Sequence, residues 1–328
     1  MTRETRMGAP QTGGRADVDL PVRQPFDAPG VFAFLAARAV QGVEVADLSD
    51  DRRLRYARTL LLPHGPATVE VVASRAPRTG WRLTAHLELA SAADVDPAVA
   101  RLRHLLDLDA DPVAVDHALS ADPSLAPLVA RTPGIRVPGT VDPHELVLRA
   151  LVGQQISVSA ARTHLSRLAT ACGTPTTSDV LGLTRLFPTP AQVVAGVPGP
   201  VPGDPPDADR ILRLPGQATR GILGVCRALA DGDLVVDEGV DADRLRSDLL
   251  ARPRIGPWTA SYVAMRVLGD PDAWLDGDVA LVAGARAVGI LDADVPRAAA
   301  SRVLAAHAAR WAPWRSYAAM HLWLAAIV

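Results

Sequence analysis

The pattern of apolar residues changes once along this chain, and that change limits the fold more than any other feature. From about Asp19 to Glu88, β-branched and alternating stretches dominate. From about Asp94 to the end, apolar residues recur at helical spacing in short runs cut by Pro and Gly. Period two marks strands with one buried face, and a period near 3.6 marks amphipathic helices. Strands followed by helices, rather than alternating with them, define an α+β chain. ATVEVVAS (67–74) and WRLTAHLEL (81–89), separated by Arg-Thr-Gly, spell a hairpin, and RLRYARTLLL (53–62) a further strand. PGVFAFLAARAV (29–40) is helical, with Pro29 near its start. The expected layout is a flexible tail at 1–17, a small α/β domain with an antiparallel sheet at 18–106, and an all-helical domain at 107–328.

Within the helical part, DPAVARLRHLLDL (96–108) and PVAVDHALSAD (112–122) come first. The helix over 141–153 opens with Asp142 as cap, Pro143 at its first position and Glu145 as capping-box partner. The helix over 157–173 carries Leu165, Leu168 and Cys172 on one stripe and ends at Gly173. VPGPVPGDPPDAD (197–209) reads as a proline-rich loop. Helices follow near 217–231, 241–251, 257–268, 278–288, 295–309 and 313–327.

Composition removes several classes. A length of 328 residues with 48% hydrophobic content allows two domains and a sizeable core. The net charge of −2 excludes a uniformly basic nucleic-acid binder but leaves room for a local basic face. Every one of the 34 basic residues is arginine. Cys172 and Cys226 alone cannot build a four-thiolate iron–sulfur or zinc site, and read as buried free thiols of a reducing cytoplasm. No apolar run reaches the ~18 residues of a membrane span, and the N-terminus lacks a signal-peptide core.

The chemistry concentrates around LLARPRIGPWTASYVAMRVLG (249–269). Pro253 stops one helix, Arg254, Ile255 and Gly256 turn the chain, and Pro257 starts the next helix where its missing N–H costs nothing. Two readings stand together here. One is an ordinary helical connection; the other is an anion site built from free amides beside a glycine. Twenty residues past Trp258, Asp278 stands at the start of a further helix, both as its cap and as a carboxylate held near aromatics.

With RTPGIRVPGTVD…LVGQQISVSAA (131–161), LFPTPAQVVAG (186–196) and WAPWRSYAAMHLW (311–323), these stretches occur in the order found in helix-hairpin-helix glycosylases. From about Leu20 onward the chain most resembles the AlkA-type DNA-3-methyladenine glycosylases. The resemblance implies a hairpin at about 245–268 and an N-terminal domain like half of a TATA-binding protein. It implies Asp278 as the catalytic carboxylate and Trp258, Tyr262 and Trp314 as walls of a base pocket. It implies Gln155 as the wedge filling the gap left by a flipped nucleotide. Pro253, Arg254, Ile255, Gly256 and Thr259 would form the DNA-backbone hairpin, whose carbonyls in this family also hold a Na+ or K+ ion. No cofactor is implied. The expected partner is double-stranded DNA with a damaged base, met by a monomer.

The chemistry fits these residue types. A stacked base must be extruded before its glycosidic bond can be reached. An alkylated purine is cationic, so aromatic faces attract it. A fixed carboxylate stabilises the oxocarbenium character of the sugar and helps deprotonate water. Relatives that nick the strand attack with a lysine at the place held here by Trp258, and this sequence contains no lysine. The expectation is a hydrolase that leaves an intact abasic strand. Excision of deaminated purines, or lesion binding without cleavage, would use the same residues. Arg254 departs from the family's usual Gly; if the position needs positive φ, Arg costs about 1 kcal/mol there relative to Gly, and the alternative is that it adds a cationic group beside the phosphate. Arg266, Arg286, Arg310 and Arg315 are further candidates for phosphate contact. Asp276 reads as a solvated loop or cap residue where the family usually has Pro, with a share in the role of Asp278 as the alternative; Trp311 and Trp323 read as core, and His144, His164 and His321 as core or surface rather than metal ligands.

Overall fold

The computed structural model describes residues 13–77, 79–200 and 210–326. Five antiparallel strands form one sheet in the order β1-β5-β4-β3-β2. They are β1 (Gly14–Leu20), β2 (Glu44–Asp50), β3 (Arg53–Leu62), β4 (Gly65–Ala76) and β5 (Gly80–Leu89). Helix α1 (Ala28–Ala37) links β1 to β2, and α2 (Val95–Leu105) follows β5 after a short 3-10 turn. Val31, Phe32 and Leu35 of α1, with Ala98, Leu102 and Leu105 of α2, bury the face carrying Tyr56, Val69, Val71, Ala85 and Leu87. Leu108 and Val141 join the same core.

The strands at 53–62 and 67–89 form as expected, but the tail does not. Residues 14–17 belong to β1, which pairs with β5 from Gly14↔Leu89 to Leu20↔Leu83. The alternation of Ala16, Val18 and Leu20 starts inside a stretch whose glycines and charges mimic a tail. Residues 1–12 lie outside the described residues. Strand β2 carries no alternating apolar signal, because its exposed outer half is acidic and polar. Most of the proline-rich loop, 201–209, also lies outside the described residues.

The helical part comprises α3 (Pro112–Leu119), α4 (Ala126–Arg131), α5 (Pro143–Val152), α6 (Val158–Cys172), α7 (Pro190–Gly196), α8 (Gly216–Ala230), α9 (Ala242–Leu250), α10 (Pro257–Leu268), α11 (Val279–Ala287), α12 (Arg297–Ala308) and α13 (Arg315–Ala325). It holds two cores. One gathers α5 to α9, and the other gathers α3, α4 and α11 to α13. Helix α10 belongs to both, with Val263, Ala264 and Val267 in the first and Met265 in the second. Cys226 is buried in the first core and Cys172 half-buried beside it, both as free thiols; burial pushes the Cys226 thiol up to about 12.

A buried ionic cluster joins sheet to helices. Glu44 of β2 accepts from Tyr56 Oη at 2.5 Å and from Arg149 Nη2 at 2.5 Å. Arg58 of β3 donates to Glu145 Oε2 at 2.7 Å, and Arg149 Nε donates to Glu145 Oε1 at 2.7 Å. Two guanidiniums and two carboxylates thus neutralise each other out of water. Burial alone would raise the Glu44 carboxyl, yet Arg149 and Arg58 hold it below its ordinary value. Glu145 is therefore spent on this cluster and does not complete a capping box; Asp142 alone caps α5, through Glu145 N at 2.9 Å. The cluster fixes α5, and the α5 C-terminus carries the loop of Gln154 and Gln155.

Candidate active site

The hairpin at 251–256 connects α9 to α10. Buried Ile255 plugs it into the first helical core, and Gly256 precedes Pro257 in extended conformation. Arg254 adopts φ 67° and Gln155, in the α5–α6 turn, φ 61°. Left-handed backbone at a non-glycine residue is strained, and such strain persists only where surrounding structure holds it. Gln154 provides that hold. Its Nε2 donates to the Arg254 carbonyl at 3.0 Å and to Thr259 Oγ1 at 3.0 Å. The Arg254 stem lies over α8, close enough that a Cβ at Gly221 would sit 2.8 Å from Arg254 Cδ. Gln155 itself is exposed.

Of the carbonyls in this turn, that of Arg252 accepts from Ile255 N at 3.2 Å and that of Arg254 from Gln154.

Asp278 caps α11. Its Oδ1 accepts from Ala280 N at 2.8 Å and Leu281 N at 2.9 Å, and its Oδ2 accepts from Trp258 Nε1 at 2.8 Å. Only 9% of the residue is exposed. Both lone pairs of Oδ1 are occupied and one on Oδ2 remains, so the carboxylate has a fixed orientation and one oxygen free to accept a further bond. Trp258 also stacks on Tyr262, with centroids 5.1 Å apart and planes 7° from parallel. One indole therefore ties the carboxylate to the aromatic wall. Trp314 packs on the same core as Trp258 and Tyr262, and meets Tyr317 edge-on at 5.8 Å. Asp276 is exposed in the preceding loop.

Behind Tyr262 lies a feature the sequence did not show. Arg266 Nη1 donates to Tyr262 Oη at 2.6 Å and its Nη2 to the Gly139 carbonyl at 2.7 Å. Its guanidinium stands 4.8 Å from the Phe34 ring, and that of Arg38 stands 3.7 Å from the same ring. Burial raises the Tyr262 hydroxyl, but Arg266 and Arg38 more than offset this and lower it. Arg266 is thus a buried brace and not a phosphate contact. Arg315 is held by Asp272 at 2.7 Å, and Arg286 donates to the Val295 carbonyl at 3.0 Å. Trp311 is buried against Asp122 at 2.8 Å, and His321 is buried in the same half of the molecule. Only the helical spacing of Phe34 and Arg38 could have marked α1 as reaching Tyr262.

This fold, a small sheet unit followed by a hairpin-bearing helical bundle, is that of DNA glycosylase structures. The 3-methyladenine DNA-glycosylase from Archaeoglobus fulgidus superposes with a TM-score of 0.73 at 16% identity, over 94% of this chain and 97% of that one. A family model described as the AlkA N-terminal domain matches residues 17–142. The chain is 32% identical over 302 residues to DNA-3-methyladenine glycosylase 2 of Escherichia coli, covering 91% of this chain and 94% of that protein. It is 42% identical over 315 residues to the probable bifunctional transcriptional activator/DNA repair enzyme AlkA of Mycobacterium tuberculosis, covering 96% of this chain. The match spans 58% of that protein's length. The chain belongs to the AlkA family of DNA-3-methyladenine glycosylases.

Proposed function

We propose that the chain excises alkylated, 3-methyladenine-like bases from double-stranded DNA by hydrolysis and leaves an intact abasic strand. The observation that carries this reading is the Asp278–Trp258–Tyr262 arrangement: one oriented carboxylate tied through an indole to a stacked aromatic wall. The hairpin amides and Thr259 engage a phosphate, while Gln155, on its exposed strained turn, enters the stack in place of the flipped nucleotide. The cationic base enters beside Trp258, Tyr262 and Trp314, where aromatic faces stabilise it by roughly 1–3 kcal/mol per contact. As the glycosidic bond lengthens, positive charge grows on the sugar. Asp278 Oδ2 faces that charge and accepts a proton from the attacking water. No amine is available at Trp258 for a Schiff base, so the sugar stays hydrolysed rather than eliminated. A protein that meets one lesion per site has no need of two-fold symmetry, so the working unit is a monomer.

The test is purified protein incubated with a methylated duplex. Chromatography should detect free methylated base, and abasic sites should break only after alkali. Strand breaks before alkali treatment would refute the intact-strand reading; release of hypoxanthine in preference to methylated purine would transfer the activity to deaminated bases.

A further inference from the structure

Away from the pocket, an open groove of about 740 Å3 runs between α6 and the segment leading to α8. Its walls carry Arg162 and Arg167 from α6 and Arg210 and Arg213 from the facing segment, with Thr163 and Ser166 between them. Ser166 also accepts from Gln41 N at 3.0 Å, which fixes the groove against the end of the N-terminal helix region. No carboxylate lines it among the described residues. None of the four arginines pairs with a carboxylate of the described residues, whereas Arg15, Arg55, Arg58, Arg103, Arg149, Arg246 and Arg315 all do.

Four guanidiniums that no carboxylate of the described residues neutralises face one cleft and repel each other, and on a chain of net charge −2 they are no by-product of general basicity. Their field registers on His164, whose imidazole is lowered by burial and then by Arg167 and Arg213. The chemistry that settles such a cleft is a repeated anion, and hydroxyls beside guanidiniums are the groups that hold phosphate oxygens. Position selects the source. Helix α6 starts at Val158, just after the turn that carries Gln155. Arg162 and Arg167 lie seven and twelve residues past Gln155. At 1.5 Å per residue they stand roughly 10 and 18 Å from that turn, and one base pair occupies about 3.4 Å of duplex.

We propose that this groove is a second phosphate-binding site, gripping the DNA backbone about three to five nucleotides from the lesion. The inference rests on the DNA-glycosylase reading. The groove secures the flanking duplex while the hairpin and Gln155 act at the damaged nucleotide. Its arginines carry affinity, not bond cleavage.

The experiment measures affinity for undamaged duplex against salt, so it does not depend on base release. Each lost phosphate contact should lower the salt slope by about 0.9. The Arg162→Ala/Arg167→Ala variant should bind a 25-base-pair duplex about tenfold more weakly at 0.1 M salt, with a slope smaller by about 2. Arg162→Lys/Arg167→Lys should restore the slope, since the charge returns. On a duplex truncated to two base pairs either side of the central position, wild type and the Ala variant should bind alike. Single-turnover base release at saturating lesion DNA should be unchanged in the Ala variant. An unchanged slope on the long duplex, in a variant whose thermal unfolding matches wild type, overturns the proposal. So does equal weakening on both duplex lengths. Wild-type protein that binds duplex with the full slope but releases no base would leave the groove standing and remove the enzymatic reading instead.

Discussion

The bond between Trp258 Nε1 and Asp278 Oδ2 makes a quantitative prediction about how stability and catalysis separate. In Asp278→Asn the amide oxygen can still accept from Ala280 N and Leu281 N, and Asn caps a helix as well as Asp does. The Asn Nδ2 then faces the Trp258 indole N–H, donor against donor. Leaving that half-buried N–H unsatisfied costs about 1–3 kcal/mol. Base release should fall far more, by about 100- to 1,000-fold, because a preorganised charge aimed at the transition state is worth roughly 3–4 kcal/mol. A chain with ~5–15 kcal/mol of stability stays folded through the first loss, so the second is measurable on native protein. Trp258→Phe removes the conflicting donor. The double variant should therefore be more stable than the sum of the two single losses by about 1–2 kcal/mol. Urea unfolding of the four proteins gives the coupling, and single-turnover base release at 25 °C gives the chemistry. Zero coupling would show that the indole does not hold the carboxylate. Base release by Asp278→Asn at the wild-type rate would falsify the catalytic assignment.

Other changes test the surroundings. Gln154→Ala removes both bonds to the hairpin and should cost about 1–2 kcal/mol of stability; the matching readout is a severalfold loss of affinity for undamaged duplex, with base release at saturation nearly retained. Arg254→Gly relieves φ 67° and should leave stability equal or up to ~1 kcal/mol higher, while lowering the salt slope by about 0.9; an unchanged slope would place the Arg254 head away from any phosphate. Burial raises the Asp107 carboxyl from 3.8 to about 6, against bonds from Val137 N and Tyr317 Oη. The folded form thus holds this proton more tightly than the unfolded chain, so its contribution to stability falls as pH rises from about 4 to 6 and stays lower above, by up to ~3 kcal/mol. Asp107→Asn, tolerated at φ 51°, should be stabilised relative to wild type at pH 7 and not at pH 3.5. Burial and then Arg131 lower His321 to about 4, which destabilises both proteins below pH 6.5 and cancels in that comparison.

What could be read from the sequence divides along physical lines. Local signals were legible: the hairpin strands, the Asp142 and Asp278 caps, the Pro257 helix start and the bare Pro253–Gly256 turn each follow from a few adjacent residues. The tail-like composition of 14–17 also has a local cause, because an edge strand with one buried face needs only Ala16, Val18 and Leu20, and the neighbouring glycines outweigh them. Partners distant in sequence were not legible. Glu145 has the spacing of a capping-box residue, yet a buried Arg58, 87 positions away, claims its carboxylate. Phe34 and Arg38 look like helix surface and become the backing of Tyr262 because α1 is docked there.

The arginines show the distinction most clearly. With every basic residue the same type, identity says nothing about role, and nearness to the site in sequence is a poor substitute. Arg266 and Arg315, close to the pocket along the chain, are spent on Tyr262, Gly139 and Asp272. Arg162, Arg167, Arg210 and Arg213 line one groove and pair with no carboxylate of the described residues. The property that marks a phosphate-binding arginine is an unneutralised charge on an open face, and neutralisation is decided by packing across the fold. If that is correct, charge reversal separates the two groups. Arg167→Glu should weaken duplex binding well beyond Arg167→Ala and leave the melting temperature nearly unchanged. Arg266→Glu should instead lower the melting temperature by several degrees, because a buried carboxylate would then face the Gly139 carbonyl, acceptor against acceptor, with the Tyr262 hydroxyl as donor in place of a guanidinium. Equal melting losses in the two variants would refute the division.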